Sequence, residues 1–299
     1  MAKERFDIKQ HVTDAIIAEI EAGTPPWRKP WTGETGGACF PLRHNGDAYR
    51  GINILILWLT SMNRGYTSAR WMTFKQAQEL GGCVRKGERS TKSVYYGTYE
   101  KETEGETGET ETRTGRFAKS FSVFNADQIE GLPDDYYIRP APPRDLGTEA
   151  DPGLDAFFAA TGAKIMTTDD PRAYYSPQDD HVHMPPIATF HDAAGYYGCL
   201  SHEVGHYYLA DHRIGTQKKF TTKAEYAMGE LEAEIFSAFL AVHLGFEPHF
   251  DQTAAYVESW LKALKEDRNA IFSAAAPAQK AFDHVVGLAA DSGADAEAA

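Results

Sequence analysis

The chain has 299 residues, enough for two domains, and its 42% hydrophobic and 24% charged residues are ordinary for a soluble globular protein. Three widely spaced cysteines, Cys39, Cys83 and Cys199, offer neither a disulfide framework nor a CxxC pair, and a formal net charge of −13 taken alone points away from nucleic acid. The charged start (Met-Ala-Lys-Glu-Arg-Phe-Asp) has no apolar run behind it, and the longest apolar run, Ile52 to Leu59, is too short to span a bilayer; the expectation is a cytoplasmic protein with no membrane partner.

The first half opens with an amphipathic helix over Asp7 to Ala22, with Ile8, Val12, Ile16 and Ile20 at helical spacing and Gly23 as its stop. Thr24 to Trp31 (TPPWRKPW) is too rich in proline for a helix or a central strand. Tyr49 to Trp58 opens a buried helix. Arg70 to Ala77 reads as a strand end leading into another helix, closed by Gly81-Gly82. Val84 to Tyr96 reads as a basic turn entering a strand, and Lys119 to Asn125 alternates so as to pair with Val94 to Tyr99. Between them, Glu100 to Gly115 has no apolar periodicity and is expected to be a mobile hairpin tip.

Charge separates the halves. Residues 1–130 hold 18 Lys and Arg against 17 Asp and Glu, and six of those acids sit in the insert from Glu100 to Glu111; residues 131–299 hold 12 against 26. A mildly basic half with interleaved aromatics suits single-stranded nucleic acid, because cations neutralise phosphates and flat rings stack on unpaired bases. The candidates are Trp27, Arg28, Lys29, Trp31, Tyr49, Arg50, Trp71, Lys75, Arg85, Lys86 and Lys92. Against this, Trp and Tyr are usually core residues and Lys and Arg usually solvate a surface.

Leu132 to Asp151 is rich in Pro and Asp and reads as an extended linker, with Tyr136-Tyr137-Ile138 able to pin it to one side. A short helix over Gly153 to Thr161 and a strand over Ala163 to Thr167 follow. A hairpin then starts at Ala173-Tyr174-Tyr175 and returns through Asp180 to Met184, where Pro185-Pro186 suggests a sheet edge able to add a peptide strand. His181 and His183 share a face of that strand and are expected to be solvated. His191 and Asp192 cap the next helix.

That helix carries the sharpest signal, His202-Glu203-Val204-Gly205-His206. Positions i and i+4 share a helix face, so two imidazoles can grip one metal ion while the Glu reaches the water it activates. Zn²⁺ is the expected ion, with Mn²⁺ or another divalent metal possible on the same donors. Two third ligands compete. His212 stands ten residues after His202, but Leu209 occupies the position where the metzincin pattern requires Gly. Glu230 lies in Glu230-Leu231-Glu232-Ala233-Glu234-Ile235-Phe236, where Glu230 and Glu234 share a face, as on the second metal helix of gluzincin-type peptidases; Glu232 reads as solvated. Glu230 is preferred as ligand, Glu234 as the residue orienting a ligating His, and Glu203 as the catalytic base, with Tyr207 or Tyr226 as oxyanion stabiliser. One or two helices over Tyr256 to Asp283 use Trp260, Leu261, Leu264, Ile271 and Phe272 as core, and the tail frays from Leu288.

The segments TPPWRKPW, YRGINILIL, RWMTFKQAQELGGCVRKGE, VFNADQIEG, DHVHMPP, YYGCLSHEVGHYY and YAMGELEAEIFSAFL, in that order, resemble the ArdC family of plasmid antirestriction proteins, related to the N-terminal part of TraC-type primases. The resemblance implies an α+β chain: an N-terminal α+β single-stranded DNA-binding domain (residues 1–131), a linker (132–152), a C-terminal zincin-like, gluzincin-type metallopeptidase domain (153–287) and a disordered tail (288–299). It implies protection of incoming conjugative plasmid DNA from host restriction, with single-stranded DNA as partner and a host protein as a conceivable peptidase substrate. The rival reading is a DNA-coating protein whose metal is only structural. A phosphodiester-cleaving site fits poorly, since such sites favour carboxylate clusters around Mg²⁺.

Overall fold

The computed structural model describes residues 7–23, 25–27, 39–104, 110–217, 220–247 and 254–293. In chain order the elements are α1 (Ile8–Glu21), β1 (Leu42–Arg43), α2 (Ile52–Arg64), β2 (Arg70–Met72), α3 (Phe74–Glu79), β3 (Cys83–Val84), β4 (Thr91–Glu104), β5 (Thr110–Asn125) and β6 (Ile129–Glu130). They continue with α4 (Pro152–Ala160), β7 (Ile165–Thr167), β8 (Tyr174–Ser176), β9 (His181–Met184), α5 (Ala193–Leu209), α6 (Lys223–Leu244), α7 (Ala254–Glu266) and α8 (Ala270–Asp291).

The first half is built on a sheet of order β1-β2-β5-β4, with β1 parallel to β2 and the other pairs antiparallel. A two-stranded β3-β6 ribbon stands beside it. α1 forms where expected: Asp7 caps it by accepting from the Lys9 and Gln10 amides, and Val12, Ile16 and Ile20 turn inward. Thr73 and Gln76 form a reciprocal capping box that starts α3. Asn53, the polar break in the apolar run of α2, both donates to the Val94 carbonyl and accepts from the Val94 amide, each at 2.8 Å, and so ties the helix to β4.

The acidic insert is not a structureless tip. β4 and β5 stay paired through Glu104↔Thr110, and only residues 105–109 between them fall outside the described residues.

In the second half a sheet of order β7-β9-β8 packs on α5. β9 is its central strand, parallel to β7 and antiparallel to β8, so the expectation of an edge at 181–184 is corrected. The return from β8 was legible as a local hairpin; the pairing with β7 is non-local and was not. All four residues of β9 are buried, His181 and His183 included. His183 bonds Thr168 Oγ1 and the Arg172 carbonyl, each at 2.7 Å, and stacks on Tyr174.

One apolar cluster joins the halves: Ile16 and Trp27, Leu55 and Trp58 of α2, and Val94 share it with Phe157, Tyr197, Phe239, Trp260 and Phe282. Polar ties add to it, with Lys9 Nζ donating to Asn269 at 2.6 Å and the Gly51 amide to Gln279 at 2.7 Å. In the segment between, Tyr136 and Tyr137 donate to the carbonyls of His44 and Ile129, pinning it to the first half, while the Arg144 amide donates to the Gly245 carbonyl at the end of α6. Ile138 is exposed. α8 runs on to Asp291 with Ala289 buried, so the chain stays helical beyond Leu288, where fraying was expected; residues 294–299 lie outside the described residues.

Candidate metal centre

α5 starts at Asp192, whose carboxylate accepts from the Gly195 amide, and runs 17 residues to Leu209. α6 starts at a capping box between Thr222 and Glu225 and ends at Gly245, which takes the left-handed conformation at φ 75°. The two helices meet closely because Gly205 has no side chain: a Cβ there would stand 2.8 Å from Phe236 Cδ1 and 3.4 Å from Ala233 Cα. Gly205 lies between His202 and His206, so this contact carries both imidazoles to the Glu230 face of α6.

His202 Nε2 and His206 Nε2 are 3.1 Å apart, His202 Nε2 is 3.4 Å from Glu230 Oε2, and His206 Nε2 is 3.5 Å from Glu230 Oε1. Donors bonded at about 2.0–2.1 Å to a common tetrahedral centre stand roughly 3.3 Å from one another, so the three side chains fit a Zn²⁺-sized ion as they are. Among the described residues these donor atoms form a group all within 4.8 Å of one another. His212 is not part of it; its ring is exposed and sits 3.1 Å from Asp180.

Electrostatics agree with the geometry. Burial works against charge on His202, yet Glu230, Glu203 and Glu234 outweigh it and raise the imidazole to about 9. His206 is raised in the same way, burial opposing and Glu230 prevailing. Burial would raise Glu230, but hydrogen bonding with His202 and His206 holds it far below the usual carboxylate range. Two imidazoles held toward the protonated form by one facing carboxylate are a place where a cation could sit.

Around this set, Glu203 is buried on α5. Glu234 Oε1 stands 3.9 Å from His202 Nδ1, the ring it was expected to orient, a distance longer than a hydrogen bond. Two residues beyond the expected set belong here. Gln217 Oε1 is 2.8 Å from His206 Nδ1, while its amide nitrogen donates to the Gly229 carbonyl at 2.7 Å and to Glu232 Oε2 at 3.3 Å. Glu232, expected on a solvated face, is buried; burial pushes its carboxyl up to about 7 against hydrogen bonds from Gln217 and Thr216. The expectation fails because α6 is buried on every side from Gly229 to Val242. Of the tyrosines, Tyr207 has its ring face covered by Arg213 at 3.4 Å, whereas Tyr226 is 43% exposed one turn before Glu230.

The residues expected to hold nucleic acid divide sharply. Trp27 is fully buried with its ring edge-on to Trp260, and Tyr49 and Trp71 close a small core with Leu57 and Val123. None of the three offers a stacking face, which corrects their assignment: interleaved aromatics in sequence do not encode which side of the core they face. Arg50 is paired with Asp283, Lys75 with Glu79 at 3.5 Å, and Arg85 with Glu88 at 3.0 Å. Lys86 is exposed, and Lys92 Nζ donates to Ser122 Oγ at 2.7 Å. Arg28, Lys29 and Trp31 lie outside the described residues.

A helix bearing His-Glu-x-x-His faced by a second helix bearing Glu marks the second half as zincin-like, and a profile of zincin-like metallopeptidases matches residues 152–277. A profile of the N-terminal domain of anti-restriction factor ArdC matches residues 6–124. The chain belongs to the ArdC antirestriction family. The metal-free crystal structure of antirestriction protein ArdC from plasmid R388 superposes with a TM-score of 0.84 at 55% identity, covering 96% of this chain and 99% of that one; the Mn(II)-bound structure gives 0.82 and 53% over the same shares. Protein y4eC of Sinorhizobium fredii is 37% identical over 93% of this chain and 91% of its own length. A DNA primase TraC of Escherichia coli is 35% identical over 96% of this chain, which spans only 28% of that primase.

Proposed function

We propose that the chain protects incoming plasmid DNA from restriction by binding it as single strands, and that its second half is a metal-dependent peptidase. The observation that carries the peptidase reading is the placement of Glu203 beside a closed set of three metal donors. A structural staple needs the donors and has no use for a buried carboxylate next to them.

In this reading His202, His206 and Glu230 hold Zn²⁺, or Mn²⁺ as named for the R388 relative. A bound divalent ion would supply Lewis acidity to water and to the scissile carbonyl. Glu203 takes the proton of the attacking water and returns it to the leaving amine. Tyr226, exposed and one turn from Glu230, is the candidate donor to the developing oxyanion. Since β9 is paired on both sides, a substrate peptide would add to the outer edge of β8, Tyr174–Ser176. A host protein that recognises foreign DNA is the class of substrate this reading suggests.

The DNA half rests on family membership and on the relation to TraC-type primases. The test compares wild type with Glu203→Gln for protection of a conjugating plasmid, after metal binding by the variant has been verified. Loss of protection with single-strand binding intact makes hydrolysis the working activity. Full protection by Glu203→Gln overturns the peptidase role and leaves a DNA-coating protein with a structural metal.

A further inference from the structure

The outer part of the β4-β5 ribbon carries aromatic rings that no core covers. Tyr95 is 57% exposed, Tyr99 is 50% exposed, and Phe117 between them is partly exposed. The register places Tyr95 opposite Lys119, Gly97 opposite Phe117, and Tyr99 opposite Gly115, so all six share one phase of the pleat. Ring centroids step from Tyr95 to Phe117 in 6.1 Å and from Phe117 to Tyr99 in 6.4 Å, and Lys119 Nζ lies 4.8 Å from the centre of the Phe117 ring.

The two glycines set the posture of the rings. A Cβ at Gly97 would stand 2.5 Å from Phe117, and one at Gly115 would stand 2.4 Å from Tyr99. Each ring therefore lies across bare backbone instead of standing up from the sheet, and the Lys119 ammonium lies over Phe117.

We propose that this face of the ribbon is the seat of a single nucleic-acid strand, its unpaired bases stacked on Tyr95, Phe117 and Tyr99 and its phosphates drawn by Lys119. The proposal rests on the reading that the chain binds single strands, and it gives that activity a site. Flat rings with an open face suit unpaired bases, which a duplex does not present. A chain of net charge −13 repels a polyanion in general, which is why the Lys119 ammonium beside the rings matters.

Fluorescence anisotropy of a fluorescein-labelled oligothymidylate on the full chain tests this. Tyr95→Ala, Tyr99→Ala and Phe117→Leu, the last keeping Gly97 covered, are each expected to weaken binding roughly five- to hundredfold. Phe117→Tyr is expected to retain it, which separates stacking from the folding of the ribbon. Tyr96→Ala removes a 52% exposed ring from the opposite phase and is expected to bind as wild type. Lys119→Gln should flatten the slope of log affinity against log salt by about 0.7. If wild type binds and the ring variants bind equally well, the site assignment is wrong while single-strand binding stands. If wild type binds no single strand, the functional reading falls and this site with it. Loss of a dimer in sedimentation velocity on replacing the rings, with oligonucleotide binding unchanged, would make the face a self-association surface and overturn the proposal.

Discussion

Gln217 Oε1 lies 2.8 Å from His206 Nδ1, and the other end of the same amide is committed to the Gly229 carbonyl and Glu232. With its nitrogen so held, Gln217 can only accept from His206. Nδ1 therefore carries a proton and Nε2 is the nitrogen turned to the Glu230 side, the orientation a metal ligand needs. Gln217→Ala should release the ring and weaken Zn²⁺ or Mn²⁺ binding about 10- to 100-fold in calorimetric titration, with the melting point of the metal-free protein little changed. Equal affinity in the variant would reduce the contact to packing.

Gly205 sets the spacing of α5 and α6. In Gly205→Ala the added methyl meets the Phe236 ring, with Ala233 behind it, and overpacking of this kind costs about 1–3 kcal/mol. Because the contact lies between the two histidines, the variant should lose metal affinity as well as stability. Phe236→Leu in the same chain should recover part of both. Denaturant unfolding and metal titration read the two effects separately, and loss of stability alone would mean that the helices part without moving the donors.

The elements that local periodicity fixes were legible in the sequence. Val12, Ile16 and Ile20 line one side of α1, and His202 and His206 share a helix face by spacing alone. Glu230 was reachable as a candidate because Glu at i and i+4 on an apolar helix fits a second metal helix better than a solvated face, and the structure brings it to His202 and His206. Gln217 was not, since it lies in a loop and its role comes from where the chain folds back. Glu232 was misread because a helix buried all round has no polar face for periodicity to detect. Trp27, Tyr49 and Trp71 were misassigned because stacking needs an open ring face, and composition is silent on exposure. The ring strip on the ribbon depends on a cross-strand register that pairs Gly97 with Phe117 and Tyr99 with Gly115, information no single segment contains.

Metal removal should be felt by the whole molecule. The donors bridge α5 and α6, and the core around α6 extends into α1 and α2. A ligand that binds only the folded state at a hundred times its dissociation constant adds about 2.7 kcal/mol. Chelator should therefore lower the melting temperature, and added Zn²⁺ or Mn²⁺ should restore it. Glu230→Gln should not respond to either, whereas His212→Ala should respond as wild type does. A chelator response that persists in Glu230→Gln would place the ion elsewhere.

Asp180 joins the β8-β9 turn to the loop after α5. Its carboxylate accepts from Arg213 at 2.7 Å and from the Tyr175 hydroxyl at 3.0 Å, on a non-glycine backbone at φ 51°. The hydrogen bond from Arg213 is the main influence that lowers the carboxyl from its ordinary 3.8 to about 2, with burial opposing and Tyr175 assisting. A carboxyl lowered on folding stabilises above its unfolded value and loses that contribution as pH falls through the folded one. Asp180 is 43% exposed, so solvent screens the pair and its worth is at most about 1 kcal/mol. Asp180→Asn should therefore lower the urea midpoint slightly near neutral pH, and the gap from wild type should narrow below about pH 4 and close near pH 2. A gap that stays constant through that range would mean the turn is held by its backbone and by Tyr175, with no contribution from the charge.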